Sequence, residues 1–349
     1  MSKQAEILRS SICEYLLEHP NSSSTNLHAA LSKAIGLATL KRALLQLVKD
    51  NTVAVTGQGK NTRYALTPCY ALLREISPDS YFQIELDKRH IIAAYNFNLL
   101  STDLLTCQLF TPEELTYLDR LQATFTQNVS GLSSYAYNKE FERLAIDLSW
   151  KSSQIEGNTY SLLETERLIK EQLTASGKTR DEATMLINHK LAIDFILAQP
   201  NYLTPLQVNK IEDIHSMLVK ELGVDRNVRH RRVGISGTNY TPLDNEFQIK
   251  EQLTQLCVVI NGRKNVFEKA FLALVLISYI QPFLDGNKRT ARIISNALLI
   301  YHQYCPLSFR TVEAIDYKKA MLIFYEQNNI SAMKKIFISQ YEFAVNTYF

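Results

Sequence analysis

No apolar run in this chain is long enough to cross a bilayer. The longest, residues 271–280, covers about half a span. The residues after Met1 are polar and charged rather than a basic stub followed by an apolar stretch, so neither export nor membrane anchoring is expected. The five cysteines, Cys13, Cys69, Cys107, Cys257 and Cys305, are odd in number, scattered and free of any C-x-x-C pair. That pattern argues against a disulfide framework and a zinc cluster, and a reducing cytoplasm fits it best. There is no internal repeat and no low-complexity tract. The net charge of +3 is too small to demand a nucleic-acid partner.

What is present is a chain of 349 residues with 46% hydrophobic content, enough for a sizeable core and two domains. Its charge is uneven. Residues 1–75 hold nine Lys/Arg against five Asp/Glu, about +4, which leaves about −1 for the remainder. In this basic segment Ile7, Leu8, Ile12 and Leu16 recur at helical spacing before Pro20, and "SSSTNLHAALSKA" offers Ser/Thr caps for a second helix. "GLATLKRALLQLVKDN" predicts a third helix, and "TVAVTGQGKNTRYALTP" alternates around Gly57-Gln58-Gly59 as a hairpin does. Three helices followed by a hairpin resemble a winged helix-turn-helix over 1–68. That resemblance places Lys41 and Arg42 in the DNA major groove and Lys60 and Arg63 on the backbone. The competing reading is the same fold used for protein contacts, with its basic residues merely solvated.

Residues 69–110 carry mixed signals and are expected to be an extended segment packed on the next domain. From Thr111-Pro112, an N-cap followed by Pro at the first helical position, the pattern turns helical. Helices are expected near 112–129, 136–156, 161–174, 179–198, 204–221, 247–261, 265–280, 287–304 and 312–347. One stretch interrupts them: "RHRRVGISGTNYTPLD", 229–244, has strand-like residues around Gly234 and Gly237 and reads as an exposed β-hairpin.

The polar stretch "QPFLDGNKRTAR", 281–292, adjoins the apolar "LALVLISYI". Gly286 leaves room for a ligand, and Asn287 opens a helix whose first amides lack internal partners, which makes an anion site. Arg289 and Arg292, three apart, bracket a polyphosphate. Asp285 beside such phosphates calls for a divalent cation, so Mg²⁺ is implied.

The same stretch resembles the signature of the Fic (filamentation induced by cAMP), or Fido, family, H-x-F-x-[DE]-G-N-[GK]-R-x-x-R. Every defined position matches except the first, where Gln281 replaces histidine. The resemblance covers 111–349 and implies a mainly α fold, in which AMP passes from ATP to a Ser, Thr or Tyr hydroxyl of a target protein. It implies Asp285 as Mg²⁺ ligand, Gly286, Asn287 and Lys288 around the anion hole, Arg289 and Arg292 on the β- and γ-phosphates, and Phe283 as the loop's anchor. The tip of the 229–244 hairpin, Gly234, Ile235, Ser236, Gly237, Thr238, Asn239 and Tyr240, corresponds to the flap that clamps the target as an added strand.

A second stretch, "SSQIEGN" at 152–158, closes a helix. Ser152 and Glu156 share a face and Gly157 is a C′ residue. A carboxylate at a helix C-terminus opposes the dipole and needs a cation, for which Arg292 is the candidate. In Fic proteins the pattern [S/T]-x-x-x-E-[G/N] is an inhibitory helix, expected here near 150–158, whose glutamate pairs with the second signature arginine. Members of this class often form homodimers.

Two departures bear on activity. A glutamine amide has no basicity near neutral pH, so Gln281 can orient a group but not deprotonate it, and loss of a positioned base costs about 10² to 10⁴ in rate. Neither His215 nor His230 is marked by the sequence as a substitute; both read as core or surface histidines. Lys288 stands where many members have glycine, a pattern shared with the Doc branch, which transfers the γ-phosphoryl group. The sequence therefore supports an autoinhibited adenylyltransferase impaired by Gln281, or a nucleotide-binding regulator acting through its winged-helix domain on DNA or a partner.

Overall fold

The computed structural model describes residues 3–31 and 35–349 and divides into two compact units, Met1–Arg74 with Thr106–Gln108, and Glu75–Leu105 with Leu109–Phe349. Among the described residues no helix is long and apolar enough to cross a membrane.

The N-terminal unit contains helices Lys3–Glu18, Ser24–Leu31 and Leu37–Lys49, followed by the antiparallel strands Val53–Thr56 and Arg63–Leu66. The end of the expected second helix, residues 32–34, lies outside the described residues. Leu8, Ile12, Leu16, Leu27, Leu40, Leu44, Leu47 and Val53 form one buried cluster, because their spacing puts one apolar stripe of each helix inward. The strands pair Val53 with Leu66 and Thr56 with Arg63. Their turn needs Gly57, at φ 72°, where a Cβ would collide with the Asn61 carbonyl. Ser22 exchanges two backbone hydrogen bonds with Tyr64, at 3.1 and 2.9 Å, which ties the second helix's approach to the hairpin.

Cys69 and Cys107 are joined in a disulfide, with Cα atoms 5.4 Å apart. This corrects the expectation of no disulfide. The partners are 38 residues apart, and nothing in their sequence spacing marks them as neighbours. Cys13, Cys257 and Cys305 are free and buried.

The larger unit is helical. At its centre Val266–Ile280 packs against Asn287–Tyr301. Every residue from 270 to 280 is buried, as expected of a helix apolar on all sides. Ser134–Ile155, Arg180–Ala198 and Val208–Leu218 pack on Asn287–Tyr301; Glu246–Gly262, Ala314–Gln327 and Ser331–Tyr348 pack on Val266–Ile280. Reciprocal capping boxes start Pro112–Ser130 (Thr111 with Glu114), Leu162–Glu171 (Ser161 with Glu164) and Arg180–Ala198 (Thr179 with Glu182).

The structure departs from the sequence reading in three further places. The single helix expected at 312–347 is two, because Asn328 turns left-handed (φ 47°) and its side-chain oxygen accepts from Asn96 Nδ2 at 2.9 Å. The segment expected to be extended contains short helical pieces, among them Pro68–Leu73 and Pro78–Phe82, each begun by a Thr or Ser cap and Pro in the first turn. Finally, 229–244 is not a β-hairpin. It has no internal strand pair, and Thr241 instead bridges Ala94. Arg229, which is 1% exposed, donates to Arg231 O (2.7 Å) and Leu243 O within the segment and to Gln281 O (2.6 Å) outside it. One buried guanidinium thus holds both ends of the segment.

Candidate nucleotide site

The site begins where the central helix stops. Gln281 adopts the left-handed conformation (φ 51°, ψ 57°), and this turns the chain into the loop leading to Asn287. Its side chain is 9% exposed and bonded at both ends. Nε2 donates to Ser278 O at 2.6 Å, and Oε1 accepts from Asn287 Nδ2 at 3.0 Å. Asn287 uses its remaining groups on the same loop, donating to Phe283 O and accepting from Phe283 N, both at 2.8 Å. Its side chain therefore staples residues 281–287, and what it presents to a ligand is its backbone amide. Phe283 is fully buried and stacks face to face on His215, ring centroids 3.6 Å apart.

Gly286 is the cap of the Asn287–Tyr301 helix, at φ 80° and with no capping side chain. A Cβ there would lie 3.2 Å from Val219 Cγ1 and 3.3 Å from His215 Cδ2, so space and backbone both require glycine. With no side chain over them, the first-turn amides remain available to an anion. His215 braces this turn from behind. Its two ring nitrogens lie 2.9 Å from Asp285 O and 3.2 Å from Arg226 O, and burial lowers its pKa. Packed against Phe283 with both nitrogens facing carbonyls, it has no free nitrogen for a substrate hydroxyl. His230 is exposed.

Three cations project from the first turns of this helix. Arg289 is 1% exposed and donates to Asp285 Oδ2 at 3.0 Å and to Leu218 O at 3.4 Å, while its Nε has no partner. Arg292 is fully buried: Nε donates to Ser152 Oγ (2.8 Å), and Nη2 to Ser152 O (3.0 Å) and Glu156 Oε1 (2.7 Å). Its guanidinium carbon lies 5.1 Å over the Tyr317 ring, and Nη1 makes no hydrogen bond of normal geometry. Lys288 Nζ donates to Glu156 Oε2 at 2.7 Å.

Glu156 is the C-cap of Ser134–Ile155, followed by left-handed Gly157 at φ 99°. Its carboxylate bridges Arg292 and Lys288, one oxygen to each, and is 18% exposed. Burial works to raise its pKa, but the two cations outweigh it and hold the carboxyl down to about 2. The carboxylate is thus charged at neutral pH and occupies the cations that a polyphosphate would use.

The residues fit such a ligand. Arg289 Nε is buried without a hydrogen-bond partner, and the start of the helix has no capping side chain. For a magnesium ion the fit is narrower: Asp285 is one carboxylate, 65% exposed and paired with Arg289, and no group of three His/Cys/Asp/Glu exists among the described residues. One carboxylate plus phosphate oxygens and water is the usual magnesium set at phosphates.

Residues 205–299 match the model of the Fic/DOC family. These residues form a Fic/DOC domain. It contains the 281–292 loop and helix start and the segment 229–244, while Ser152 and Glu156 lie before it. Among curated proteins, the chain is similar to the protein adenylyltransferase Fic of Drosophila willistoni, 26% identical over 161 residues, covering 45% of this chain and 32% of that one. The protein adenylyltransferase Fic of Drosophila mojavensis is 24% identical over 293 residues, 79% of this chain and 57% of that one. Among solved structures it resembles Fic-1 of C. elegans (TM-score 0.60, 19% identity, 68% of this chain and 72% of that one). A Fic domain containing signaling protein from Bacteroides thetaiotaomicron is similar at TM-score 0.57, with 17% identity, 66% of this chain and 94% of that one. The chain spans only about a third to just over half the length of the two curated Drosophila relatives.

The residues expected to form the flap tip differ in exposure. Gly234, Ser236, Gly237 and Asn239 are exposed, Ile235 and Thr238 partly so. Tyr240 is 3% exposed, stacks on Tyr279 and donates its hydroxyl to Tyr279 O at 3.2 Å, so it anchors the segment rather than tipping it. In the N-terminal unit Lys41, Arg42 and Lys60 are exposed, whereas Arg63 donates to Lys60 O and Thr62 O within its own turn. Sequence reasoning missed His189, Tyr317 and Arg229, whose partners are far along the chain, and it missed the pairing of Lys288 with Glu156.

Proposed function

We propose that this chain is a Fic-type protein adenylyltransferase held inactive by Glu156. The observation that carries the reading is the bridge from Glu156 to both Arg292 and Lys288, two 2.7 Å contacts on a helix start built for phosphate. Displacement of Glu156 frees these cations for the β- and γ-phosphates of ATP; Asp285 would hold Mg²⁺, which would neutralise phosphate charge. The exposed part of 229–243 receives the target protein's segment, and a Ser, Thr or Tyr hydroxyl of that target attacks the α-phosphorus, losing its proton as the bond from the α-phosphorus to the bridging oxygen breaks and pyrophosphate leaves.

Gln281 supplies orientation without basicity. Its amide is engaged by Asn287 and Ser278 O, so hydroxyl deprotonation falls to solvent and the expected rate is about 10² to 10⁴ below that of a site with histidine. The second reading is a non-catalytic nucleotide-binding regulator that acts on DNA or a partner through the N-terminal unit, read as a winged helix-turn-helix with Lys41, Arg42, Lys60 and Arg63 toward DNA; the locked amide is compatible with it.

The test is labelling with ATP carrying the label at the α- or the γ-phosphate. Glu156→Gly is compared with Glu156→Gly plus Gln281→His. Transfer of the α-label by the double variant supports AMP transfer, and labelling by the single variant too shows that Gln281 is tolerated. Transfer of the γ-label alone replaces this reading with phosphoryl transfer. No labelling by either variant, with nucleotide still bound, favours the regulator.

A further inference from the structure

Behind Arg292 lies a buried relay whose far end, His189, belongs to no sequence motif. His189, on the Arg180–Ala198 helix, is fully buried, and its Nε2 is 2.7 Å from Ser152 Oγ. Ser152 Oγ is in turn 2.8 Å from Arg292 Nε. The proton positions follow from counting. Arginine can only donate, so Ser152 Oγ accepts from Arg292 and retains one O–H to give. If His189 Nε2 is the acceptor, that O–H is satisfied and the one group left unpaired is the Nδ1–H. If Nε2 carries the proton, the Ser152 O–H and the bare Nδ1 are both left unpaired. The first arrangement leaves fewer buried orphans. It also keeps the ring neutral, in keeping with its burial and with the nearby charges of Arg292 and Arg289, both of which push its pKa well below the ordinary histidine value.

We infer that His189 is a positioning residue for nucleotide binding: by accepting the Ser152 hydroxyl proton it aims the serine lone pair at Arg292 Nε and holds the guanidinium in place when Glu156 is displaced. Two of the three hydrogen bonds to Arg292 come from Ser152, through its hydroxyl and its carbonyl, and only one from Glu156. Removing the glutamate therefore leaves the arginine anchored, with Nη1 and the freed Nη2 edge for a phosphate. The inhibitory helix on this account does two opposing things. Glu156 blocks the arginine, and Ser152, set by His189, keeps it ordered for the ligand. The inference rests on the nucleotide-site reading given above.

The experiment uses the full chain carrying Glu156→Gly, with His189→Leu, His189→Gln and Ser152→Ala added singly, and His189→Leu with Ser152→Ala together. Affinity for a non-hydrolysable ATP analogue with Mg²⁺ is measured by calorimetry, and the exchange rate of the Arg292 Nε proton by ¹⁵N NMR without nucleotide. His189→Leu weakens binding about tenfold and speeds the exchange, and Ser152→Ala does the same. The pair is no worse than either single change. His189→Gln, whose Oε1 can accept the same hydroxyl, restores both properties. Equal binding and equal exchange in all variants overturns the inference, as does equal loss in the Leu and Gln variants, since that marks a purely steric role. If His189→Leu fails to fold, the Gln variant and Ser152→Ala carry the comparison, and loss in the Gln variant with no loss in Ser152→Ala overturns it. Should no variant bind nucleotide while the Nε proton exchanges as stated, the relay stands and the nucleotide reading falls.

Discussion

Replacing Lys288 by methionine gives the sharpest view of how the site is held shut. Lys288 has two roles in this account, one in each state of the site. With Glu156 seated it is the second cation on that carboxylate, at 2.7 Å and 30% exposed; with phosphate bound it is a ligand of the phosphate. The seated carboxylate titrates near 2 against an ordinary 4.5, which corresponds to about 3 kcal/mol of preference for the charged form in place. Burial opposes that preference, and of the two cations Arg292 exerts the larger charge effect; Lys288, 30% exposed, is worth about 1 kcal/mol, the size of a partly exposed ion pair. Loss of Lys288 thus removes a phosphate contact in any background, but it also loosens the latch where Glu156 is present. Calorimetry with an ATP analogue and Mg²⁺ on the four proteins of a Glu156→Gly by Lys288→Met cycle separates the two. The loss of affinity caused by Lys288→Met is about fivefold smaller with Glu156 present than in Glu156→Gly. Identical losses in both backgrounds would refute the latch.

Other perturbations follow from the same geometry. Because the Glu156 carboxyl has a folded-state pKa below its unfolded value, it contributes stability above about pH 4.5 that is lost as pH falls through about 2. Urea unfolding should therefore show Glu156→Gln less stable than the parent by about 3 kcal/mol at neutral pH, with the gap closing toward pH 2; a gap independent of pH contradicts the assignment. Arg229→Ala leaves the carbonyls of Gln281, Arg231 and Leu243 without their donor. It should cost about 2–4 kcal/mol and open 230–243 to hydrogen exchange, whereas unchanged protection there would show that Arg229 is not the staple. If the N-terminal unit binds duplex DNA, Lys41→Ala with Arg42→Ala should lower the slope of log affinity against log salt by about 2, and a flat titration of the parent at low salt sets DNA aside.

Much of the helical core was legible because its signals are local. Thr111 with Pro112, and the apolar run ending at Ile280, give their helices' starts and stops within a few residues. Gly157, read as a C′ residue, announced left-handed backbone for the same reason. The segment 229–244 misled because its strand-like residues around Gly234 and Gly237 suggest a ladder, while the buried guanidinium of Arg229 bonds to carbonyls 14 and 52 residues away. The disulfide and the His189 relay escaped for the same physical reason: their partners, 38 and 37 residues apart, meet only through tertiary packing. At the site, the residues of 281–292 and the Glu156–Arg292 pair could be named from motif chemistry. That Lys288 doubles the pair, and that Gln281 is tied at both ends of its amide, needed coordinates.

The central claim is that the start of the Asn287–Tyr301 helix, with Arg289 and Arg292, is a phosphate cradle that Glu156 plugs. A crystal structure of Glu156→Gly with Mg²⁺ and a non-hydrolysable ATP analogue tests it most directly. The account predicts phosphate oxygens within hydrogen-bonding distance of Arg292 Nη1, Lys288 Nζ and the first-turn amides, with the Ser152–Arg292 bonds intact. Phosphates bound elsewhere, with Arg292 and Lys288 left unliganded, would contradict it.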